Sequence, residues 1–276
     1  VPSPSYPLFE HLARVECVRP VTYQLAWDGA WRIDLEALCD ATTPRTRAIV
    51  VVSPNNPTGS TLKQYELLEL VRICHKRGLA LVADEVFADY AYEPDPRRAP
   101  SVAACDEVLT FALNGLSKVA GLPQLKLGWI VVNGPEDVAD QAVARLEFLA
   151  DLFLSVGTPV QRALPELLEL AAGIRQQIRD RIARNRATLA EEVTADGPSS
   201  VLLSEAGWYA LVRVPRLVPD EQLALDLLER HDTLIQPGYF FDIAMEGIVV
   251  VSLLTEPDVF REGVWQVLAY LNKPGG

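Results

Sequence analysis

Three polar residues stand just beyond apolar runs: Asn56 after Ala48-Ile-Val-Val-Val52, Asp84 after Leu79-Ala-Leu-Val-Ala83, and Lys118 after Val108-Leu-Thr-Phe-Ala112. They are too far apart in sequence to share an element, so each belongs to a separate strand end. The central stretch is Asn114-Gly-Leu-Ser-Lys118, continuing through Lys126-Leu-Gly-Trp129. A lysine in such a loop offers an amine that can hold an aldehyde as a Schiff base and then shuttle a proton. Singly, each residue has an ordinary reading. Asn55-Asn-Pro-Thr-Gly59 is good turn chemistry, Asp84-Glu85 is a helix cap or surface pair, and a lone Lys118 is a solvated charge. Phe87 and Trp129 read as packing. Together, in this order, the three polar residues point to one site.

The elements that must position them read as an α/β chain. The β-branched run at 48–52 is the pattern of a strand buried on both faces of a parallel sheet. It stops at Ser53-Pro-Asn-Asn-Pro-Thr-Gly59. A helix is expected next, with Thr61 and Gln64 at capping-box spacing and Leu67, Leu68, Val71 and Cys74 at helical spacing. Gly78 ends it. Further strands are expected at 79–83, 108–112 and 128–132. Upstream, the alternation of Val15, Cys17 and Tyr23 predicts a strand from Val15 to Gln24, and Asp34 to Cys39 a short helix.

From Pro135 to about Val193 the chain reads as helical, interrupted at Ser155-Val-Gly-Thr-Pro159. The stretch Arg175 to Glu192 has a broad polar face and is expected to bridge two domains. After Gly197-Pro198 come a strand (Trp208 to Val214), a helix (Asp220 to Glu229) and strands at Thr233 to Ile235 and Ile248 to Leu254. A final helix is entered through Thr255-Glu-Pro-Asp258. The fold class is therefore α/β, a mostly parallel sheet covered by helices on both faces, with a smaller C-terminal α+β domain. The expected division is 1–172 and 173–276. In such a sheet, ligands sit in the crevice outside the carboxyl ends of the strands, where Asn56, Asp84 and Lys118 fall.

Composition narrows the partners. The 276 residues are 49% hydrophobic and 22% charged, with a formal net charge of −12. A scattered acidic excess argues against nucleic acid or an anionic membrane, which need clustered Lys and Arg. No apolar run approaches the roughly 20 residues of a membrane span, and no leader pattern opens the chain. Cys17, Cys39, Cys74 and Cys105 are widely spaced and the three histidines isolated, so neither a disulfide framework nor a metal site is expected, and a reducing cytoplasm is.

Pro54-Asn-Asn-Pro-Thr-Gly59, Ala83-Asp-Glu-Val-Phe87, and Leu116-Ser-Lys118 with Lys126-Leu-Gly-Trp129 resemble the class I/II aminotransferases, fold type I pyridoxal-phosphate enzymes. Gly207-Trp-Tyr209 and Gln236-Pro-Gly238 extend the resemblance across the C-terminal part. It implies pyridoxal 5′-phosphate held by Lys118 as a Schiff base, Asp84 paired with the ring nitrogen and Asn56 bonded to the ring's phenolic oxygen. It implies Lys126 at the position of a phosphate-binding arginine, as a point charge in place of a fork. Ser117 is a neighbouring phosphate contact, and Tyr6 an aromatic residue stacked on the cofactor. The implied activity transfers an amino group between an amino acid or amine and a 2-oxo acid. The implied assembly is a homodimer, with Ser155 to Pro159 as a cross-subunit loop. The same machinery also serves lyases and decarboxylases, and the fold also serves as a non-enzymatic effector-binding domain of transcription regulators.

Four departures bear on these expectations. Phe87 replaces a tyrosine that donates to the phenolic oxygen, which predicts a higher Schiff-base pKa than in tyrosine-bearing members. Gly115 replaces a phosphate-binding serine. Val250 aligns with the arginine that holds the substrate carboxylate, leaving Arg213 or another cation for that task, or an unusual substrate. Finally, the chain opens Val1-Pro-Ser-Pro-Ser-Tyr-Pro7 without methionine, and nothing from Val1 to Pro44 resembles the family's glycine-rich phosphate loop. An N-terminally truncated chain is therefore expected.

Overall fold

The computed structural model describes residues 1–194 and 197–272. In chain order, β1 (Pro2–Ser3), α1 (Leu8–Val15), β2 (Tyr23–Trp27), β3 (Trp31–Ile33) and α2 (Leu35–Ala41) precede the main sheet. The expected strand from Val15 to Gln24 is thus a helix end followed by a loop, and the strand begins only at Tyr23. The alternation of Val15, Cys17 and Tyr23 misled because Val15 and Val18 are exposed at 78% and 61%, so no sheet face collects them. The short helix α2 forms as expected, with the Asp34 carboxylate accepting from Ala37 N at 2.9 Å as its N-cap.

The central sheet has the order β4-β5-β6-β7, formed by β4 (Ala48–Val52), β5 (Ala80–Asp84), β6 (Thr110–Gly115) and β7 (Gly128–Asn133). The first three run parallel, and β7 is antiparallel to β6. Between β4 and β5 lies α3 (Gln64–Arg77), which buries Leu67, Leu70, Val71 and Cys74 at helical spacing. Its start differs from the sequence expectation. Lys63 is the N-cap, and its N–H donates to the Glu66 carboxylate at 2.8 Å, so Thr61 lies outside the helix. Gly78 ends it at φ +64, the left-handed conformation in which glycine carries no Cβ penalty.

A short helix α4 (Leu116–Val119) follows β6 directly, and α5 (Glu136–Leu152) and α6 (Thr158–Glu192) form the long helical region. A second sheet, order β10-β11-β9-β8, contains β8 (Ser200–Val201), β9 (Tyr209–Arg213), β10 (Gln236–Pro237) and β11 (Ile248–Ser252), with α7 (Asp220–His231) and α8 (Pro257–Leu271). The strand expected at Thr233 to Ile235 falls instead at β10, two residues long, because Thr233 N bonds back to Leu227 O to close α7.

Helix α6 braces the molecule. In its first half, Ala171 packs with Leu116, Val119 and Leu127. Midway, Arg175 Nη1 donates to Val119 O at 3.3 Å and Arg179 Nη2 to Asp89 O at 2.6 Å. Near its end, the buried Asn185 amide donates to Leu253 O at 2.9 Å and Thr255 O at 2.7 Å. One helix thereby ties the loops of the first sheet to the segment that follows β11 of the second. The core is shared as well. Leu211, Ile248 and Val250 of the second sheet join the cluster containing Ile49, Val51, Leu81 and Ala83 of the first.

Candidate active site

Adjacent parallel strands deliver the three strand-end residues to one edge. Val52 stands opposite Asp84, and Asp84 opposite Leu113. Leaving β4, Ser53 N donates to Asp84 O at 2.9 Å, and the chain then closes on itself: Asn55 N donates to Ser60 O and Gly59 N to Asn55 O, both at 2.8 Å. The Asn55 side chain is committed inside this loop, accepting from Thr58 Oγ1 at 2.9 Å. Asn56 is not. Its Oδ1 is buried and has no hydrogen-bond partner.

The loop is pressed from outside. Gly59 lies at φ +66, and a Cβ there would fall 2.5 Å from the Ala206 carbonyl oxygen. Glu205 N donates to Gly59 O at 3.0 Å, and its carboxylate accepts from Thr61 N at 2.9 Å and Thr61 Oγ1 at 2.7 Å. Lys63 Nζ completes that cluster at 2.5 Å. Burial opposes ionisation of Glu205, but the Lys63 and Thr61 bonds outweigh it and hold the carboxyl below the usual range.

Asp84 ends β5 with Oδ1 accepting from Val86 N at 3.1 Å. Asn114 ties the end of β6 to it: Nδ2 donates to Glu85 O at 3.2 Å, and Oδ1 accepts from Gly115 N at 2.7 Å. Gly115 then passes so close to the start of β7 that a Cβ would lie 2.9 Å from Leu127 O. The glycine at this position is a packing requirement, which the reading of a lost serine did not anticipate. Burial pushes the Asp84 carboxyl up, against the bond from Val86 and the charge of Lys118. Burial pushes the Lys118 amine down, with Asp84 opposing. Each group senses the other's charge in a partly desolvated place, the pattern expected of a functional pair.

Lys118 is also enclosed by rings. Its Nζ lies 4.8 Å from the Trp208 ring centroid and 5.4 Å from that of Phe87, within cation–π range. Trp208 meets Phe87 at 5.3 Å and Tyr90 at 5.0 Å, both edge to face. The Tyr90 hydroxyl donates to Lys118 O at 2.5 Å. With Arg175 on Val119 O, two carbonyls that a four-residue helix leaves open are capped from other elements.

The remaining sequence candidates are placed as follows. Ser117 is half-buried on α4, one residue before the amine. Lys126 is exposed, in the left-handed conformation at φ 52, and Leu116 N donates to the next residue's carbonyl, Leu127 O, at 3.0 Å. Phe87 is buried at 4% exposure and offers no hydroxyl. Tyr6 is half-exposed and lines a cavity of about 450 Å³ with Ser5, Phe9, Arg14 and Asp242, which none of Asn56, Asp84 and Lys118 lines. Val250 is buried at 2% in the shared core. Arg213 donates to the Met245 sulfur at 3.6 Å. Sequence reasoning gave no role to Tyr90 or Trp208. The available signal was the run of aromatic residues at 87, 90 and 92 behind Asp84, three side chains that cannot all face water.

Residues 1–260 match the family model described as aminotransferase class I and II. Alanine aminotransferase of Mycobacterium bovis is 31% identical over 254 residues, covering 88% of this chain and 58% of that protein. The glutamate-pyruvate aminotransferase AlaA of Escherichia coli is 31% identical over 257 residues, covering 88% and 61%. The chain thus spans about three-fifths of these relatives' length. An aminotransferase structure from Escherichia coli superposes with a TM-score of 0.87 at 26% identity, covering 100% of this chain and 70% of that one. A Thermus thermophilus aspartate aminotransferase double mutant gives a TM-score of 0.83 at 27% identity, with coverage of 98% and 68%.

Proposed function

The chain belongs to the class I and II aminotransferases, and from that premise we propose that it carries the lysine-bearing site of a pyridoxal 5′-phosphate-dependent transaminase. The observation that carries the reading is the convergence of Lys118 and Asp84 at the carboxyl ends of adjacent parallel strands. A partly desolvated amine over two aromatic faces senses a carboxylate on the next strand. The residues fit the cofactor. An amine is available for the aldehyde, and a carboxylate for the ring nitrogen. Asn56 has a buried amide end without a partner, which can present a donor or an acceptor by rotating half a turn.

When bound, the pyridoxal ring supplies the electron sink that makes a substrate α-proton removable. Asp84 would hold positive charge at the ring nitrogen. Asn56 would bond the ring oxygen. Lys118 would hold the aldehyde and, as a free amine, would take the proton at the substrate Cα and return it. Its depressed pKa raises the neutral fraction that can act as a base. Ser117 and Lys126 are assigned to the phosphate and Tyr6 to the ring.

The names of the relatives support small amino-acid donors and 2-oxo acids such as pyruvate as the substrate class. Val250 leaves the substrate carboxylate to another group. The proposal includes a cytoplasmic homodimer, for which the exposed Phe148, Leu152, Phe153 and Leu154 before Ser155 supply an apolar face. No helix among the described residues is long and apolar enough to cross a membrane. It also includes the division at 172/173, which α6 spans.

Borohydride reduction of the protein loaded with pyridoxal 5′-phosphate, followed by peptide mapping, tests the assignment. Label on Lys118 is expected, and label on any other lysine refutes it. Formation of a 2-oxo acid without released ammonia separates transamination from elimination.

A further inference from the structure

A buried donor without an acceptor is costly, so one beside a reactive group calls for a reason. Trp208 is such a case. It is 8% exposed, and its Nε1 has no hydrogen-bond partner. Trp31 Nε1 is in the same condition, but Trp31 lines a cavity of about 20 Å³ together with Arg32, Thr61 and Glu66, polar and roomy enough for one water. Trp208 lines neither that cavity nor the larger one.

The neighbours of Trp208 do not answer the donor. Phe87 and Tyr90 fill two sides with ring carbon, and the Tyr90 hydroxyl is spent on Lys118 O. Lys118 Nζ sits over the indole face and, as an ammonium, is itself a donor. A phenylalanine would keep these ring contacts without an unpaired N–H.

We propose that Trp208 is a ligand-contacting residue of the Lys118 site, its indole N–H donating to an anionic oxygen of the bound ligand. The inference rests on the Lys118 reading above. Two positions leave such an oxygen short of a partner: Phe87 has no hydroxyl, so the ring oxygen has Asn56 alone, and Val250 is sealed in the core, so no cation stands there for the substrate carboxylate. The acceptor is therefore an oxygen of the cofactor ring or of the substrate carboxylate, and the two are separable.

Unmodified protein and W208F are titrated with pyridoxal 5′-phosphate by absorbance, and the loaded forms then with succinate as a non-reacting carboxylate. Loss of one hydrogen bond weakens binding about tenfold. Weakened pyridoxal phosphate binding with unchanged succinate affinity assigns the ring oxygen, and the reverse assigns the carboxylate. Equal constants in both titrations overturn the inference. A second readout needs no substitution. In unmodified protein carrying nitrogen-15 indoles, the Trp208 N–H signal, assigned by its Overhauser contact with Lys118, moves downfield when the acceptor binds. A signal that stays in place with both ligands overturns the inference. If the unmodified protein takes up no pyridoxal phosphate, the reading of the site falls and this one with it. If uptake labels Lys118 and W208F matches the unmodified protein, this inference alone falls.

Discussion

The Tyr90 hydroxyl donates to the backbone carbonyl of Lys118 at 2.5 Å, so a buried phenol from the β5 exit holds the peptide that carries the amine. Tyr90→Phe keeps the ring contacts with Phe87 and Trp208 and removes only this bond. The carbonyl is then left buried, and a stability loss of about 1–2 kcal/mol is expected in urea melts. If the phenol positions the amine, uptake of pyridoxal phosphate by Lys118 also slows several-fold at matched pH. A stability loss with an unchanged uptake rate would mean that Tyr90 serves folding alone.

Asp84 and Lys118 are displaced from their ordinary values by burial, in opposite directions, and each partly restores the other. The signs follow from linkage. Asp84 has a folded pKa above its unfolded one, near 3.9, so its contribution is present at low pH and is lost as pH rises through the folded pKa. Lys118 has a folded pKa below its unfolded one, near 10.4, so stability is gained as pH rises from the depressed pKa toward that value. Unfolding free energies of the unmodified protein and D84N should therefore diverge upward from about pH 4, with D84N gaining relative to the unmodified protein. D84N also removes the charge that holds the Lys118 pKa up, so Lys118 should take up pyridoxal phosphate at lower pH. A parallel pair of stability curves, or a shift of uptake to higher pH, contradicts the coupling.

Much of this fold was legible because burial on a parallel sheet writes itself as β-branched runs. Ala48–Val52 and Ala80–Asp84 were visible for that reason, Gly128–Asn133 from its β-branched residues although it is an antiparallel and largely exposed edge strand, and Gly78 because only a left-handed cap needs glycine there. The strand misread at Val15 fails for the converse reason, since alternation has meaning only where a face is buried. In the candidate site, Asn56, Asp84 and Lys118 stood out in sequence because polar residues at strand ends break the apolar pattern. Tyr90 and Trp208 could not, since an aromatic residue in a core and one against an amine look alike in sequence. Nor could the shared core: Val250 reads as an ordinary strand residue until Ile49, Leu81 and Leu211 are found around it.

Glu205 and Lys63 form a mostly buried ion pair, with side chains exposed at 20% and 12%. Removing one partner strands the other's charge, which costs about 3–5 kcal/mol for buried pairs, whereas removing both costs far less. Lys63→Met should therefore destabilise strongly, and K63M/E205Q should recover most of the loss. A double-mutant cycle in urea melts measures this coupling. Additive losses would mean that the pair is worth no more than an exposed one.

Gly59 joins the Asn56 loop to the segment preceding Trp208, and its replacement should damage both. A Cβ there falls 2.5 Å from Ala206 O and 2.7 Å from Ser204 Cβ, neither of them the far end of a flexible side chain. The loop cannot easily retreat, because Gly59 O accepts from Glu205 N at 3.0 Å and Gly59 N donates to Asn55 O at 2.8 Å. Gly29 supplies the control: it also has positive φ, at +98, but nothing lies within 4 Å of its Cβ position. Gly29→Ala should thus lose only the strain of that conformation, about 1 kcal/mol. Gly59→Ala adds an overlap, for a total of about 3–4 kcal/mol. Because the clash pushes Ala206 away from the loop, G59A should also weaken uptake of pyridoxal phosphate at Lys118, while G29A leaves it unchanged. Thermal melts and absorbance titrations of the two variants side by side decide the point, and equal losses would show that the close approach carries no weight.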